Sequence, residues 1–354
     1  RLQAFYTPLM GFLPNIGVAV VLLVGGRQVI NGNLSVGDFS AFYIYMVMLS
    51  GPVRWLGMSL SMAQRAVASG NRMFEILDRE PEMQSPPGAP PLPEGGGRVS
   101  LQRVTLRYDG SEPALTGVDL EVEPGRTVAL VGPTASGKTS LVGLLARLYD
   151  PSDGRVVIDG ADIREVDLSA LRSEIAFVAD DSFLFSDSVA NNLAYARPDA
   201  TREQIEAAAR GAQAHEFITR LPDGYETVVG ERGLTLSGGQ RQRVAIARAL
   251  LAEPRILILD DATSSVDART EAEIKAGLQE AMAGRTTFIV AHRLSTISLA
   301  DEIVVLDHGR IVDRGTHDEL LERCSLYEEI AEKGLEDSVY LQRDLEEREE
   351  LARL

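Results

Sequence analysis

Cysteine is nearly missing from this sequence. Cys324 stands alone, so neither an internal disulfide nor a cysteine cluster for a metal ion is open to it, and a reducing compartment fits. Positive charge is also short. Against 52 Asp and Glu there are 35 Lys and Arg, a formal net charge of −17, which gives little reason to expect a nucleic-acid partner, because neutralising a phosphate backbone takes a basic face. Arg1 is not an initiator methionine and no signal-cleavage pattern follows it, so the sequence reads as a fragment of a longer chain. No repeat period is evident. Acids are almost absent from the N-terminal segment, where Asp38 is the only one before Glu75. That asymmetry asks for the two parts to be read separately.

What is present, in 354 residues of which 45% are hydrophobic and 25% charged, is room for one large domain and a smaller piece, or for two domains. Residues 8–24, PLMGFLPNIGVAVVLLV, are uncharged and apolar apart from Asn15. With Gly25, Gly26 and the residues before them they approach the roughly 20 needed to cross a bilayer, where Gly and Pro are tolerated better than in water. A polar, turn-rich stretch, 27–38, leads to residues 39–60, FSAFYIYMVMLSGPVRWLGMSL, whose Arg54 has to snorkel, face a cavity or pair with another helix. Two such segments on a short loop make a membrane hairpin the expectation, with a buried helical pair of a soluble protein as the alternative. Arg65 and Arg72 favour a cytoplasmic end after the second segment, while Arg27 in the opposite loop weakens that argument. Residues 63–77 continue as an amphipathic helix, and residues 79–97, REPEMQSPPGAPPLPEGGG, read as an extended, partly flexible linker.

From Arg98 the pattern changes to short strands alternating with helices. Strands are expected near 99–106, 118–122, 127–131, 156–158, 175–178, 256–259, 287–290 and 303–306, which makes an α/β domain with a mainly parallel core sheet. Between 188 and 251 helical segments dominate and read as a helical subdomain inserted into the sheet domain. Residues 326–354, dense in charge with scattered Leu and Ile, read as a solvated helical tail.

The chemistry gathers at residues 127–145, TVALVGPTASGKTSLVGLL. An apolar strand, a glycine-bounded loop and a helix follow one another, and Gly132, Gly137, Lys138 and Thr139 fit G-x-x-x-x-G-K-[ST]. Backbone N–H groups of such a loop cradle phosphate oxygens at a helix N-terminus; Lys138 would reach the β- and γ-phosphates, and the Thr139 hydroxyl would ligate Mg²⁺. Residues 256–261, ILILDD, form a buried strand ending in acids, so Asp260 is the second Mg²⁺ candidate. A second anion site lies at 236–240, LSGGQ, where Ser237 can cap the helix that follows, and Gly238 and Gly239 permit a phosphate to approach exposed N–H groups. One triphosphate does not need two such sites on one chain, so this one is read as serving a nucleotide held by another subunit.

Together VGPTASGKTS (131–140), LSGGQRQ (236–242), ILILDD (256–261), SSVD (264–267) and the histidine of IVAHRLST (289–296) resemble the ATP-binding domain of ABC transporters, of the exporter type with membrane and ATPase parts in one chain. The resemblance runs from Arg1 to about Ala331, and the apolar hairpin looks like the fifth and sixth membrane helices of an exporter half, the first four being absent here. It implies an α/β P-loop NTPase domain of ABC type, with a helical subdomain, preceded by a membrane α-helical hairpin. The expected division is a membrane part at 1–78, a linker at 79–97, the ATP-binding domain at 98–331 and a charged helical tail at 332–354. It implies ATP and Mg²⁺ as cofactors, a second exporter half and the lipid bilayer as partners, and a multi-pass chain of the cell membrane with its ATP-binding domain in the cytoplasm.

Residue by residue, the resemblance puts ATP on Gly132, Pro133, Thr134, Ala135, Ser136, Gly137, Lys138, Thr139 and Ser140, with Tyr108 stacked on adenine and the partner's nucleotide on Ser237, Gly238, Gly239 and Gln240. His292 takes the switch position at the γ-phosphate, residues 264–267 cross the dimer interface, and residues 227–233, TVVGERG, look like the loop that touches the partner's membrane part. Arg248 reads as structural. The exported substrate is not legible.

Three positions depart from the family pattern. Asp261 stands where a glutamate polarises the attacking water; losing one methylene retracts the carboxylate by about 1.5 Å, and a misplacement of about 1 Å can cost roughly a hundredfold in rate. Asp180, in FVADDSFLF, replaces a glutamine: it can still approach Mg²⁺, but it adds negative charge and cannot donate a hydrogen bond when ionised. Ala135 replaces a third glycine, and if that residue needs φ > 0 its Cβ costs on the order of 1 kcal/mol. Because LSGGQ is intact, the expectation is a heterodimer of unequal sites, this chain's own site slow or degenerate and its 237–240 completing an active site on the partner. A homodimer with two slow sites, a nucleotide-binding regulatory subunit without turnover, and a soluble ABC ATPase of repair or translation are the rivals.

Overall fold

The computed structural model describes residues 2–81, 83–108, 112–179, 182–230, 233, 235–260, 268–291 and 294–332. The chain divides into two compact units, residues 1–82 and 83–354.

The first unit is two helices packed on each other, α1 (Leu2–Ile30) and α2 (Val36–Leu77). The polar stretch between the apolar segments supplies the turn: Ser35 caps α2, its Oγ accepting from the Asp38 amide at 3.1 Å and donating to the Asp38 carboxylate at 2.6 Å. Close approach at the hairpin rests on Gly25, where a Cβ would lie 2.7 Å from the Phe39 ring. At 42 residues α2 is about 63 Å long. It is long and apolar enough to cross a membrane; in α1, residues 15–30 make a shorter apolar helical stretch. The side chain of Arg54 lies outside the described residues.

The second unit runs β1 (Val99–Leu106), β2 (Leu115–Val122), β3 (Thr127–Val131), α3 (Lys138–Leu145), β4 (Asp153–Ile158), β5 (Ala161–Asp162), α4 (Leu168–Ser173), β6 (Ile175–Val178), α5 (Val189–Ala194), α6 (Arg202–Gly211), α7 (His215–Thr219), α8 (Gly238–Leu251), β7 (Ile256–Asp260), α9 (Ala268–Met282), β8 (Thr286–Val290), α10 (Leu294–Ile297), β9 (Glu302–Asp307), β10 (Arg310–Gly315) and α11 (His317–Arg323). Six strands form one sheet in the order β10-β9-β3-β8-β7-β6, parallel except for the β9–β10 hairpin at its edge. A four-stranded antiparallel sheet, β2-β1-β4-β5, packs beside it.

The continuous apolar runs of β3, β7 and β8 follow from burial on both faces. Val128 and Leu130 of β3 enter a core shared with the antiparallel sheet and α3, whereas Ala129 and Val131 enter a core built with the helices. Strand β7 divides the same way, with Ile256 and Ile258 on one side and Leu257 and Leu259 on the other. All eight expected strands are present. The two unforeseen ones, β5 and β10, bury no residue fully: β5 has two residues and β10, RIVDRG, is an edge strand. Segment 188–251 is helical as expected, α5 to α8.

Residues 84–97, expected to be partly flexible, carry neither helix nor strand but are fastened to the second unit. The Ser85 hydroxyl donates to Asp167 at 3.0 Å and accepts from the Leu168 amide at 2.8 Å, Leu92 is buried, and Arg255 donates to the Pro93 carbonyl at 2.6 Å. Gly97, at φ +85, packs where a Cβ would meet Arg255 O at 3.0 Å, and its amide and that of Arg98 donate to the Asp159 carboxylate. At the other end, the start of the supposedly solvated tail buries Tyr327 and Ala331, with the Tyr327 hydroxyl 2.7 Å from His317 Nδ1. Residues 333–354 lie outside the described set.

Candidate functional site

Strand β3 delivers the chain into residues 132–137 and then α3, and the loop's shape depends on its glycines. A Cβ on Gly132 would stand 2.1 Å from the Leu306 carbonyl oxygen, and one on Gly137, at φ +103, would stand 2.8 Å from the Ala114 oxygen. No side chain caps α3, so the first-turn amides stay open to an anion. Ala135 has φ 64, the left-handed conformation that a glycine adopts without cost. Its methyl group is exposed, so nothing in side-chain packing repays that strain.

Two further elements hold the loop in place. Ser136, buried, accepts on its carbonyl from the Gly309 amide at 3.1 Å, and Gly309 is itself pressed so close to Ala114 that a Cβ would lie 2.6 Å from its oxygen. The His308–Gly309 turn, with both residues at positive φ, is a two-residue hairpin turn, so the β9–β10 hairpin braces the phosphate loop from the side. Sequence reasoning did not connect this turn to the loop, because the contact joins positions far apart in the chain and has no local signature.

Lys138 is buried, with its ammonium donating to the carbonyls of Gly132 at 2.7 Å and Pro133 at 2.9 Å and to Ser136 Oγ at 3.4 Å. Its charge therefore sits inside the curve of the loop. Pro133, Thr134 and Thr139 are exposed, and Ser140 is half-buried with its Oγ accepting from the Tyr108 hydroxyl at 3.0 Å. Tyr108 presents a partly exposed ring, edge-on to Tyr149 at 5.0 Å between centroids. Tyr149 was not anticipated.

Asp260 ends β7. Leu130 and Asp260 both register with Val290 of β8, from opposite sides, so the start of the phosphate loop and Asp260 leave the same edge of the sheet about 9–10 Å apart. That edge, at the carboxyl ends of parallel strands, is where open α/β sheets hold ligands. The donor set fits Mg²⁺: a carboxylate at a rigid strand end and the Thr139 hydroxyl beside an amide-lined loop that a Cβ would fill. Asp180, Asp261, His292 and residues 264–267 lie outside the described residues.

The structure places Ser237, Gly238, Gly239 and Gln240 at the head of α8, a different helix, which packs on α5, α6, α9 and β6. Ser237 and Gln240 form a reciprocal cap, the Ser237 Oγ accepting from the Gln240 amide at 3.3 Å and the Gln240 Oε1 from the Ser237 amide at 2.9 Å. Gly238 is exposed. In residues 227–233, Val228 is exposed and pairs with Ser188, Val229 is buried, and Glu231 and Arg232 fall outside the described set. Arg248, eleven residues along from Ser237, donates to Asn192 and Phe183, and burial pushes its pKa down.

A family model described as "ABC transporter" matches residues 115–264. The chain is 47% identical over 331 residues to a multidrug efflux ATP-binding/permease protein of Mycobacterium tuberculosis, covering 93% of this chain and 28% of that protein. It is 44% identical over 326 residues to an ATP-dependent lipid A-core flippase of Syntrophus aciditrophicus, covering 92% of this chain and 54% of that one. A solved structure of a bacterial Atm1-family ABC exporter with ATP bound superposes with a TM-score of 0.70 at 41% identity, over 91% of this chain and 57% of that one. The chain thus spans from about a quarter to just over half the length of these relatives.

Proposed function

This chain belongs to the ABC transporter family, and from that premise we propose that it is part of one half of an ATP-driven exporter, binding Mg-ATP on residues 132–140 and coupling hydrolysis to movement of a substrate across a membrane. The observation that carries the reading is the braced, amide-lined loop with Lys138 inside it, on the sheet edge that Asp260 also reaches. Membrane attachment is supported by α2, long and apolar enough to cross a bilayer.

In this reading the amides of the loop and of the first turn of α3 receive the phosphates, Lys138 turns from the loop carbonyls toward the β- and γ-phosphates, and Tyr108 offers its ring to adenine. Thr139 and Asp260, with Asp180 able to approach, would hold Mg²⁺, which when bound would supply charge neutralisation on the phosphates. Asp261 takes the place of the base that orients water, and His292 that of the γ-phosphate sensor. ATP is held between this loop and the 237–240 segment of a second half, which draws the two ATP-binding domains together, and hydrolysis lets them part.

Asp261, Asp180 and the left-handed Ala135 bear on this chain's own nucleotide, while its LSGGQ is intact. We therefore assign it to a heterodimer in which its own site is slow and acts as a clamp, and in which Ser237, Gly238, Gly239 and Gln240 complete a faster site on the partner. The two aspartates equally favour a second reading, an ATP-binding regulatory subunit without turnover of its own.

The test is Mg²⁺-dependent ATP turnover by the assembled transporter in lipid vesicles. Gly238→Asp puts a charged side chain at the exposed head of α8 and should abolish turnover at the partner's loop. Turnover undiminished by Gly238→Asp would overturn the shared-site reading.

A further inference from the structure

Asn192 belongs to none of the recognised motifs, yet the residue is 1% exposed and its side chain makes a dense set of hydrogen bonds. Its Nδ2 donates to the carbonyls of Phe185 at 3.0 Å and Ser188 at 3.0 Å, and its Oδ1 accepts from the Phe185 amide at 2.8 Å. One amide group thereby closes the turn at 185–188, in the segment that follows Asp180. The same Oδ1 accepts from Arg248 Nη2 at 3.2 Å, and the Asn192 carbonyl accepts from Arg248 Nε at 2.9 Å. Arg248 Nη1 donates to the Phe183 carbonyl at 3.3 Å.

Arg248 lies on α8, the helix headed by Ser237 and Gln240. Apolar packing fills the space around these groups but can slide; two polar side chains sharing hydrogen bonds with four backbone positions, Phe183, Phe185, Ser188 and Asn192, fix one register. Phe183 and Phe185 meet edge to face at 5.1 Å and Phe185 stacks on Tyr195 at 4.5 Å, so aromatic contacts also tie the segment to the residue that follows α5.

We propose that Asn192 and Arg248 form a staple that makes residues 183–188 and α8 one mechanical piece, and that Asn192 is a positioning residue for this chain's own nucleotide site: a displacement of α8 when a partner's nucleotide meets residues 237–240 is carried through the staple to the segment that bears Asp180. The inference rests on the exporter reading above, because it needs a nucleotide at the head of α8. It accounts for a half-buried arginine whose acceptors are neutral oxygens and for a buried asparagine whose amide is spent on the 185–188 turn.

The experiment is hydrogen exchange on the assembled transporter with and without Mg-ATP, following peptides 182–191 and 236–249, alongside saturating turnover. In the wild type both peptides should gain protection together. In Asn192→Leu and in Arg248→Met, peptide 236–249 should still respond, the response of 182–191 should be lost, and maximal turnover, which the partner's site carries, should fall by less than about threefold. The double variant should lose no more than either single one, because both remove the same link. Arg248→Lys, which keeps one donor, should recover part of the 182–191 response; a purely structural role would give instead a lower folded fraction with both peptides responding normally. If 182–191 responds to Mg-ATP in Asn192→Leu as in the wild type, or if the double loss is additive, the staple is overturned while the exporter reading stands. If neither peptide responds in the wild type, the exporter reading falls and the staple with it.

Discussion

Replacing Ala135 with glycine should stabilise the ATP-binding unit, against the usual rule that glycine in a loop destabilises. At φ 64 the alanine Cβ crowds the backbone, a cost of about 1–2 kcal/mol for an L residue in the left-handed region. Glycine removes that cost but adds freedom to the unfolded chain worth about 0.4–1 kcal/mol in the opposite sense. Because the methyl group is exposed, no packing is lost, and the difference is a net gain of about 0.5–1 kcal/mol, or roughly 1–3 °C in the unfolding midpoint of a unit of this size. Ala135→Val should move the midpoint the other way by several degrees, since a β-branched residue tolerates positive φ worse still. The strain belongs to the loop itself, so the affinity for Mg-ATP should differ by less than about twofold between Ala135→Gly and the wild type. Calorimetric unfolding of the transporter with each variant, and titration with a fluorescent ATP analogue, measure both quantities. A glycine variant less stable than the wild type by about 1 kcal/mol, together with a valine variant of unchanged stability, would refute the reasoning.

Lys138→Met should weaken Mg-ATP binding at this loop about 10- to 150-fold, the worth of one charge-assisted hydrogen bond of about 1.5–3 kcal/mol, read by the same titration. Arg255→Ala leaves Asp159, whose side chain is 5% exposed, without its cation at 3.0 Å and frees the Pro93 carbonyl. It should destabilise by about 2–3 kcal/mol and open residues 84–97 to limited proteolysis, seen as a new cleavage product. At Asp167 the Ala170 amide, then the Ser85 hydroxyl, hold the carboxyl below its ordinary value of 3.8, so its contribution is present above that value and lost as pH falls through the folded one. Cleavage near Ser85 should therefore rise below about pH 4 in the wild type and show a flatter pH profile in Asp167→Asn.

The parallel strands were legible because burial on both faces writes itself as runs such as TVALV and ILILD, and the phosphate loop because its glycines answer steric demands that no other residue meets. The possible strain at Ala135 was readable as a departure from a glycine pattern, but its presence needed the φ angle. What the sequence did not disclose depends on tertiary contact. Residues 84–97 look like a linker by composition, and the side chains that fasten them, Asp159, Asp167 and Arg255, lie far along the chain. Tyr327 sits in a charge-dense stretch whose average hides one buried face. Asn192, in the short helix α5, carries no sequence signature that marks it, and its role shows only when Arg248 is brought to it.

The central claim is that this chain binds ATP at residues 132–140 chiefly to hold a dimer together, while faster hydrolysis occurs at a partner's loop across from its own LSGGQ. It is tested most directly by steady-state ATP turnover of the assembled pair with Asp261→Ala on this chain, beside the pair in which the partner's corresponding acid is changed to alanine. The account predicts less than about a threefold loss from Asp261→Ala and about a hundredfold or greater loss from the partner's change, the scale on which a misplaced catalytic group acts. Equal abolition of turnover by the two substitutions would contradict it.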